Sequence, residues 1–273
     1  MSYWLIPAIG LYLSGAACYG GYLFIQKENF QRAGYGLMMA GFAVHTLVVA
    51  TKTLYSGVIP VRNLHETLLF AAWVFAAVFL VLKIHTRLKI MGVFAAPIAT
   101  LMTAAAFMVP DKSVEIESSL ASAWLVIHVM LIFTGMAALT LAAGAGVLYL
   151  IQKHNIKGKK HRFFFRRLPS LEMLDSTGYT FVVIGFSALT VGLITGFVYA
   201  HMVWGRIWSW DPKEVWSAIT WLIYAALLHE RLISRWRGGR AAVLAIIGFA
   251  AMLFTFLGVN FLLEGHHNEF TRW

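Results

Sequence analysis

"LASAWLVIHVMLIFTGMAALTLAAGAGVLYLI", residues 120–151, runs for 32 residues without an Asp, Glu, Lys or Arg, and holds one histidine, His128. As a helix it is longer than the roughly 30 Å needed to cross a hydrocarbon core. A helix that is apolar on every side needs an apolar surrounding, either a large core or a bilayer. The rest of the chain decides between them. Its 273 residues are 60% hydrophobic and 12% charged, with a mean hydropathy of +0.73, too little polar surface for a soluble domain of that size. Seven further apolar stretches follow the same pattern, at approximately 4–25, 33–51, 64–82, 88–109, 177–199, 213–229 and 241–263. None alternates with a period of two, which excludes a β-barrel. The expectation is an all-α, polytopic integral membrane bundle of about eight helices, a single domain over 1–273 with no internal repeat.

The net charge of +10 is a signal of topology, not of nucleic acid. Of the 22 Lys and Arg, 16 fall in loops 26–32, 83–89, 152–167 and 231–240, while the alternate loops and the tail hold Lys52, Arg62, Lys112, Arg206, Lys213 and Arg272. The positive-inside rule then puts the basic loops on the cytoplasmic side, against anionic lipid, and both termini outside. The stretch "MSYWLIPAIG" has neither a positive n-region nor a small-residue cleavage site, so the first segment is expected to be retained. Cys18 is the only cysteine, so no CxxC pair or CxxCH heme attachment exists within the chain. Any thiol reduction its process needs falls to a thiol-reducing partner.

The external loop near 200–213 leads into "WGRIWSWDPKEVW", residues 204–216, with Trp204, Trp208, Trp210 and Trp216, and Trp221 beyond. An aromatic belt scatters one or two Trp at a helix end; five within eighteen positions exceed that and suit a platform for a large planar ligand. "DPKE" reads locally: Asp211 as N-cap, Pro212 at the first helical position and Glu214 at N3 of a capping box.

Ten histidines are many for so apolar a chain, and ionisable residues within membrane segments suggest function. His45 lies mid-segment, His128 in the outer part of its segment, His201 beside the tryptophan loop, and His266 and His267 after the last segment. His229 ends "WLIYAALLHER", about 26 Å along a helix from Pro212, with Ala218, Leu222, Ala225 and Ala226 on its face leaving room for a flat ligand or a partner helix. A lone helical His is as often a packed residue as a ligand. Imidazoles on both sides of an aromatic shelf are what a six-coordinate heme requires. Zinc is less suited, because neither HExxH nor paired Cys/His spacing occurs.

"WGRIWSWDPKEVWSAITWLIYAALLH" resembles the WWD motif of the heme-handling proteins of cytochrome c maturation. The wider chain looks like the CcsA (ResC) branch of System II, through "PVRNLHETLLFAAW", "SAWLVIHV", "LPSLEMLDSTGY" and "GFAAMLFTFLGVNFLLEGHH". The resemblance implies a protein of the cytoplasmic membrane that transports heme b outward, non-covalently bound as substrate. It would present the heme for attachment to a CxxCH apocytochrome c, as part of a holocytochrome c synthetase with a CcsB (ResB) subunit. By position, His128 and His267 would be external axial ligands, with His266 the alternative, since "NEF" follows where the family reads Ser-Tyr. His229 would serve a transmembrane heme site whose second ligand comes from CcsB. Trp204, Trp208, Trp210, Asp211 and Trp216 would form the platform, and Arg206 stands where it could pair with a propionate. A heme exporter without ligase activity would use the same residues. A b-type electron-transfer subunit or a regulatory relative are the other readings; the first would want histidine pairs at matched depth within the bilayer.

Overall fold

The computed structural model describes residues 2–86, 88–111, 122–158, 167–234 and 236–262. A short 3₁₀ turn, Ser2–Trp4, precedes α1 (Leu5–Ile25). There follow α2 (Glu28–Ser56), α3 (Leu64–His85), α4 (Met91–Met108), α5 (Ala123–Lys157), α6 (Leu171–Trp204), α7 (Pro212–Leu232) and α8 (Gly239–Leu253). Beyond α8 the chain continues as a π-helical turn, Phe254–Gly258, and a last helical turn, Val259–Leu262. Successive helices run up and down, so the bundle has two ends. A tryptophan end carries the α6–α7 connection, and a basic end carries the α5–α6 and α7–α8 connections.

Helix starts follow the local chemistry. Asn63, Ser122 and Ser170 each accept a backbone N–H of the first turn, from Glu66, Trp124 and Met173 respectively, satisfying donors the helix leaves open. Gln26, Gly57 and Gly205 end α1, α2 and α6 in the left-handed region, where glycine is the residue without strain.

Among the described residues eight helices stand where the apolar stretches predict them, and seven are long and apolar enough to cross a membrane, α8 by continuing through the π turn as Gly239–Gly258. The exception is α7, and the reason is visible in its charges: Lys213 and Glu214 in its first turn, Glu230 and Arg231 in its last. α3 is central, with 61% of its apolar window buried against 22% for α1, so α1 faces the surroundings while α3 forms the axis.

Packing between α5 and α6 is close because glycines meet there. A Cβ on Gly135 would lie 2.9 Å from the backbone N of Leu189 and 3.0 Å from the carbonyl of Gly185, so the two backbones touch directly. At the tryptophan end, the tips of α2, α3 and α4 are tied by charge. Lys52 Nζ lies 2.7 Å from Asp111 and 3.8 Å from the fully buried Glu66, which also pairs with Arg62. Burial opposes charge on Asp111, yet Lys52 holds its carboxyl below the ordinary range. His65 donates Nδ1–H to the carbonyl of Ala106, 2.7 Å away. His45 is buried with Nδ1 3.4 Å from Tyr12 Oη. Both read as packed histidines that join helices.

Candidate functional site

At the tryptophan end, the first turns of α5, the last turns of α6, the start of α7 and the π-helical turn after α8 leave a cavity of about 240 Å³ between them. Its walls are apolar and aromatic, with Ile132, Phe133, Met136, Leu193, Phe197 and Phe256 among them. His128, Lys213 and Glu214 bring ionisable groups to the same surface.

The position of His128 is set by two glycines one helical turn apart on α6. Its Nδ1 lies 2.7 Å from the carbonyl oxygen of Gly192, which also accepts the hydroxyl of Thr195 at 2.8 Å. A carbonyl can only accept, so Nδ1 carries the proton, and in the neutral ring the lone pair belongs to Nε2. A Cβ on Gly196 would stand 2.6 Å from His128 Cε1, so only glycine leaves room for the imidazole there. This is the support that metal-ligating histidines use: one ring nitrogen donates to a backbone carbonyl, which fixes the tautomer and aims the other.

The tryptophans divide. Trp204 and Trp208 line the cavity. Trp204 packs edge-on to Tyr199 at 6.4 Å between centroids, and Trp208 edge-on to Phe197 at 6.2 Å and Trp210 at 5.7 Å. Trp210 is 77% exposed with φ 59°. Trp216 turns instead toward the π-helical turn, 4.3 Å from Phe254. A single shelf of four tryptophans, the sequence expectation, is thus two cavity walls, one exposed ring and one helix-packing ring.

The acids of the motif hold this loop in shape. Glu214 accepts the backbone N–H and hydroxyl of Ser209, at 2.8 and 3.0 Å, and the N–H of Asp211 at 3.3 Å. Asp211, 5% exposed, accepts the N–H of Lys213 at 2.8 Å and completes the capping box with Pro212 at N1. Asp211 therefore acts as a cap, as its spacing predicts. Arg206 sits exposed on the loop and outside the residues that line the cavity.

His229 lies at the opposite end of α7, exposed on the bundle's side, with Leu222 and Ala226 exposed along the same face. His201 is exposed at the end of α6. His266 and His267 lie outside the described residues.

Sequence reasoning missed several lining groups. Thr220 and Thr255 bond to each other at 3.1 Å, and Thr255 also donates to the carbonyl of Trp216 at 3.2 Å; these bonds pin the π-helical turn that brings Thr255 and Phe256 into the wall. No pattern in "FTFLG" announces a π turn, although such turns concentrate at functional sites. Gly192 and Gly196 were missed as well, because nothing in the sequence pairs them with His128.

Residues 61–267 match the family model described as cytochrome C assembly protein. The chain is 34% identical over 284 residues to the cytochrome c biogenesis protein CcsA of Guillardia theta, covering 96% of this chain and 94% of the relative. It is 30% identical to that of a Synechococcus strain, covering 92% and 88%. A solved structure, described as cytochrome c heme lyase CcmF, superposes with a TM-score of 0.67 at 19% identity. That match covers 98% of this chain and 47% of the other, so this chain spans about half of it, and the likeness is one of fold.

Proposed function

The chain belongs to the cytochrome c assembly protein family, and on that premise we propose that its tryptophan-end cavity is an outward-facing heme site used in cytochrome c biogenesis. The observation that carries the reading is His128: an imidazole locked by Gly192, with Nε2 as its ligating nitrogen, in a wall that also holds Trp204 and Trp208. His267, or His266 in its place, supplies the second axial nitrogen. A cavity of about 240 Å³ falls below the roughly 300 to 1,000 Å³ typical of enclosed ligand sites, so it grips part of a macrocycle and leaves an edge accessible. That edge is where the apocytochrome must approach. Each cysteine S–H of a CxxCH peptide adds across one vinyl C=C, sulfur to one carbon and hydrogen to the other, with no net change in oxidation state. The protein contributes ligation, orientation and a dry aromatic surface, which raise the effective concentration of the partners.

His229 serves heme earlier in its path. It stands about one bilayer thickness from Asp211 along α7, so it cannot hold the same heme. Its exposed lateral face, with Leu222 and Ala226, supports a site completed by a CcsB-type subunit in the cytoplasmic membrane.

Co-expression with a CcsB-type subunit and a CxxCH apocytochrome, scored by covalent heme, tests the reading. His229→Gly is expected to lower the yield about tenfold or more, and added imidazole to restore part of it by filling the vacated coordination position. Wild-type yield from the unsupplemented variant would make His229 a packed surface histidine and remove the two-site path.

A further inference from the structure

His128 does not have the Gly192 carbonyl to itself. That oxygen accepts Nδ1–H of His128 at 2.7 Å and the hydroxyl of Thr195 at 2.8 Å. In a regular helix it is also the acceptor for the N–H four residues on. A carbonyl oxygen has two lone pairs, so density drawn by one donor is withdrawn from the others. Thr195 is 7% exposed and is not among the residues that line the cavity. Its hydroxyl turns back on its own helix, as threonines in helices commonly do. Thr190, one turn and a half earlier on α6, also turns back, to the Phe186 carbonyl, and takes the indole N–H of Trp221. Thr195 differs in that the carbonyl it loads is the one holding His128.

We propose that Thr195 is a positioning residue of the heme site, acting through the Gly192 carbonyl to set how strongly His128 donates to iron. The inference rests on the reading of His128 as an axial ligand and adds the control of its basicity. The more completely a carbonyl takes the far N–H of a ligating imidazole, the more electron density the ring gives the metal, and the more the ferric state is favoured. By sharing that oxygen, Thr195 leaves the His128 bond weaker than an undivided one. The iron is then easier to hold ferrous, the state that does not draw electrons from the thiols of an incoming CxxCH peptide.

Redox titration of the full-length chain loaded with heme, followed by the Soret band, tests this. Thr195→Val keeps the shape of the side chain and removes the donor. Its ratio of ferric to ferrous heme affinity is expected to rise about threefold, a fraction of the roughly 10- to 100-fold carried by outer-shell partners of metal ligands. At about 59 mV per tenfold for one electron, the potential falls by about 30 mV. Thr195→Ser keeps the hydroxyl and should keep the wild-type potential. Thr195→Ala removes the donor with a smaller side chain and should shift in the same direction, so a valine variant that fails to fold does not remove the test. An unchanged potential in the valine or alanine variant, a rise in place of a fall, or an equal fall in Thr195→Ser would overturn the inference; the heme site still stands where His128→Gly abolishes the Soret band. A wild-type heme band indifferent to His128→Gly would remove the heme reading and the role of Thr195 with it.

Discussion

Helices α5 to α8 meet at both ends of the bundle, and they meet differently. At the tryptophan end they leave about 240 Å³ with an imidazole and an ammonium in its wall. At the basic end the space left is about 30 Å³, lined by Ala142, Ala145, Gly146, Gly178 and Ala242. The polar groups there are spent on one another. Asp175 receives both terminal nitrogens of Arg231, at 3.0 and 2.8 Å, and the N–H of Gly238 at 2.7 Å, while the guanidinium lies 4.3 Å over the Tyr179 ring. Small residues and a satisfied ion pair close one end; large aromatics and an inserted π turn keep the other open. The closed end ties α6, α7 and the α7–α8 connection together, and the open end is the one where a ligand is proposed to bind.

The largest effect expected from this contrast is at the closed end. Asp175→Asn leaves Arg231, whose side chain is only 10% exposed, without its charge partner. Removing one member of a buried pair costs about 3 kcal/mol or more. Thermal unfolding in detergent is expected to shift downward accordingly, while the heme spectrum of the remaining folded protein stays that of the wild type. A changed spectrum at unchanged stability would mean that the basic end belongs to the heme site.

Gly196→Ala is the converse and smaller test. Its Cβ would meet His128 Cε1 at 2.6 Å, so the imidazole must move, at a cost of about tenfold or more in heme affinity. Stability should change little, because the neighbouring wall is already open. Wild-type affinity in this variant would mean that His128 tolerates displacement and is not an axial ligand.

Much of this was legible in the sequence. Continuous apolar runs place all eight helices, and Asp211-Pro212-Lys213-Glu214 specifies the capping box that starts α7. What the runs could not show is that α7 carries too much charge to match its neighbours as a span, since a 20-residue helix can be placed by its partners instead of by its own hydropathy. The candidate site was legible in its histidine and its tryptophan count, because both residue types are expensive in such a chain. Their division was not. Whether Trp208 or Trp216 faces the cavity depends on the left-handed turn at Trp210 and on the π turn that pulls Trp216 toward Phe254, and both are tertiary outcomes without a local signature.

The central claim is that His128 ligates heme in the tryptophan-end cavity, and a heme titration of His128→Gly against wild type tests it most directly. The wild type is expected to give a low-spin, bis-imidazole spectrum when reduced. The variant is expected to lose that spectrum and to regain it in part when imidazole fills the space beside Gly192 and Gly196. A His128→Gly protein that binds heme with the wild-type spectrum and affinity, without imidazole, would contradict the account.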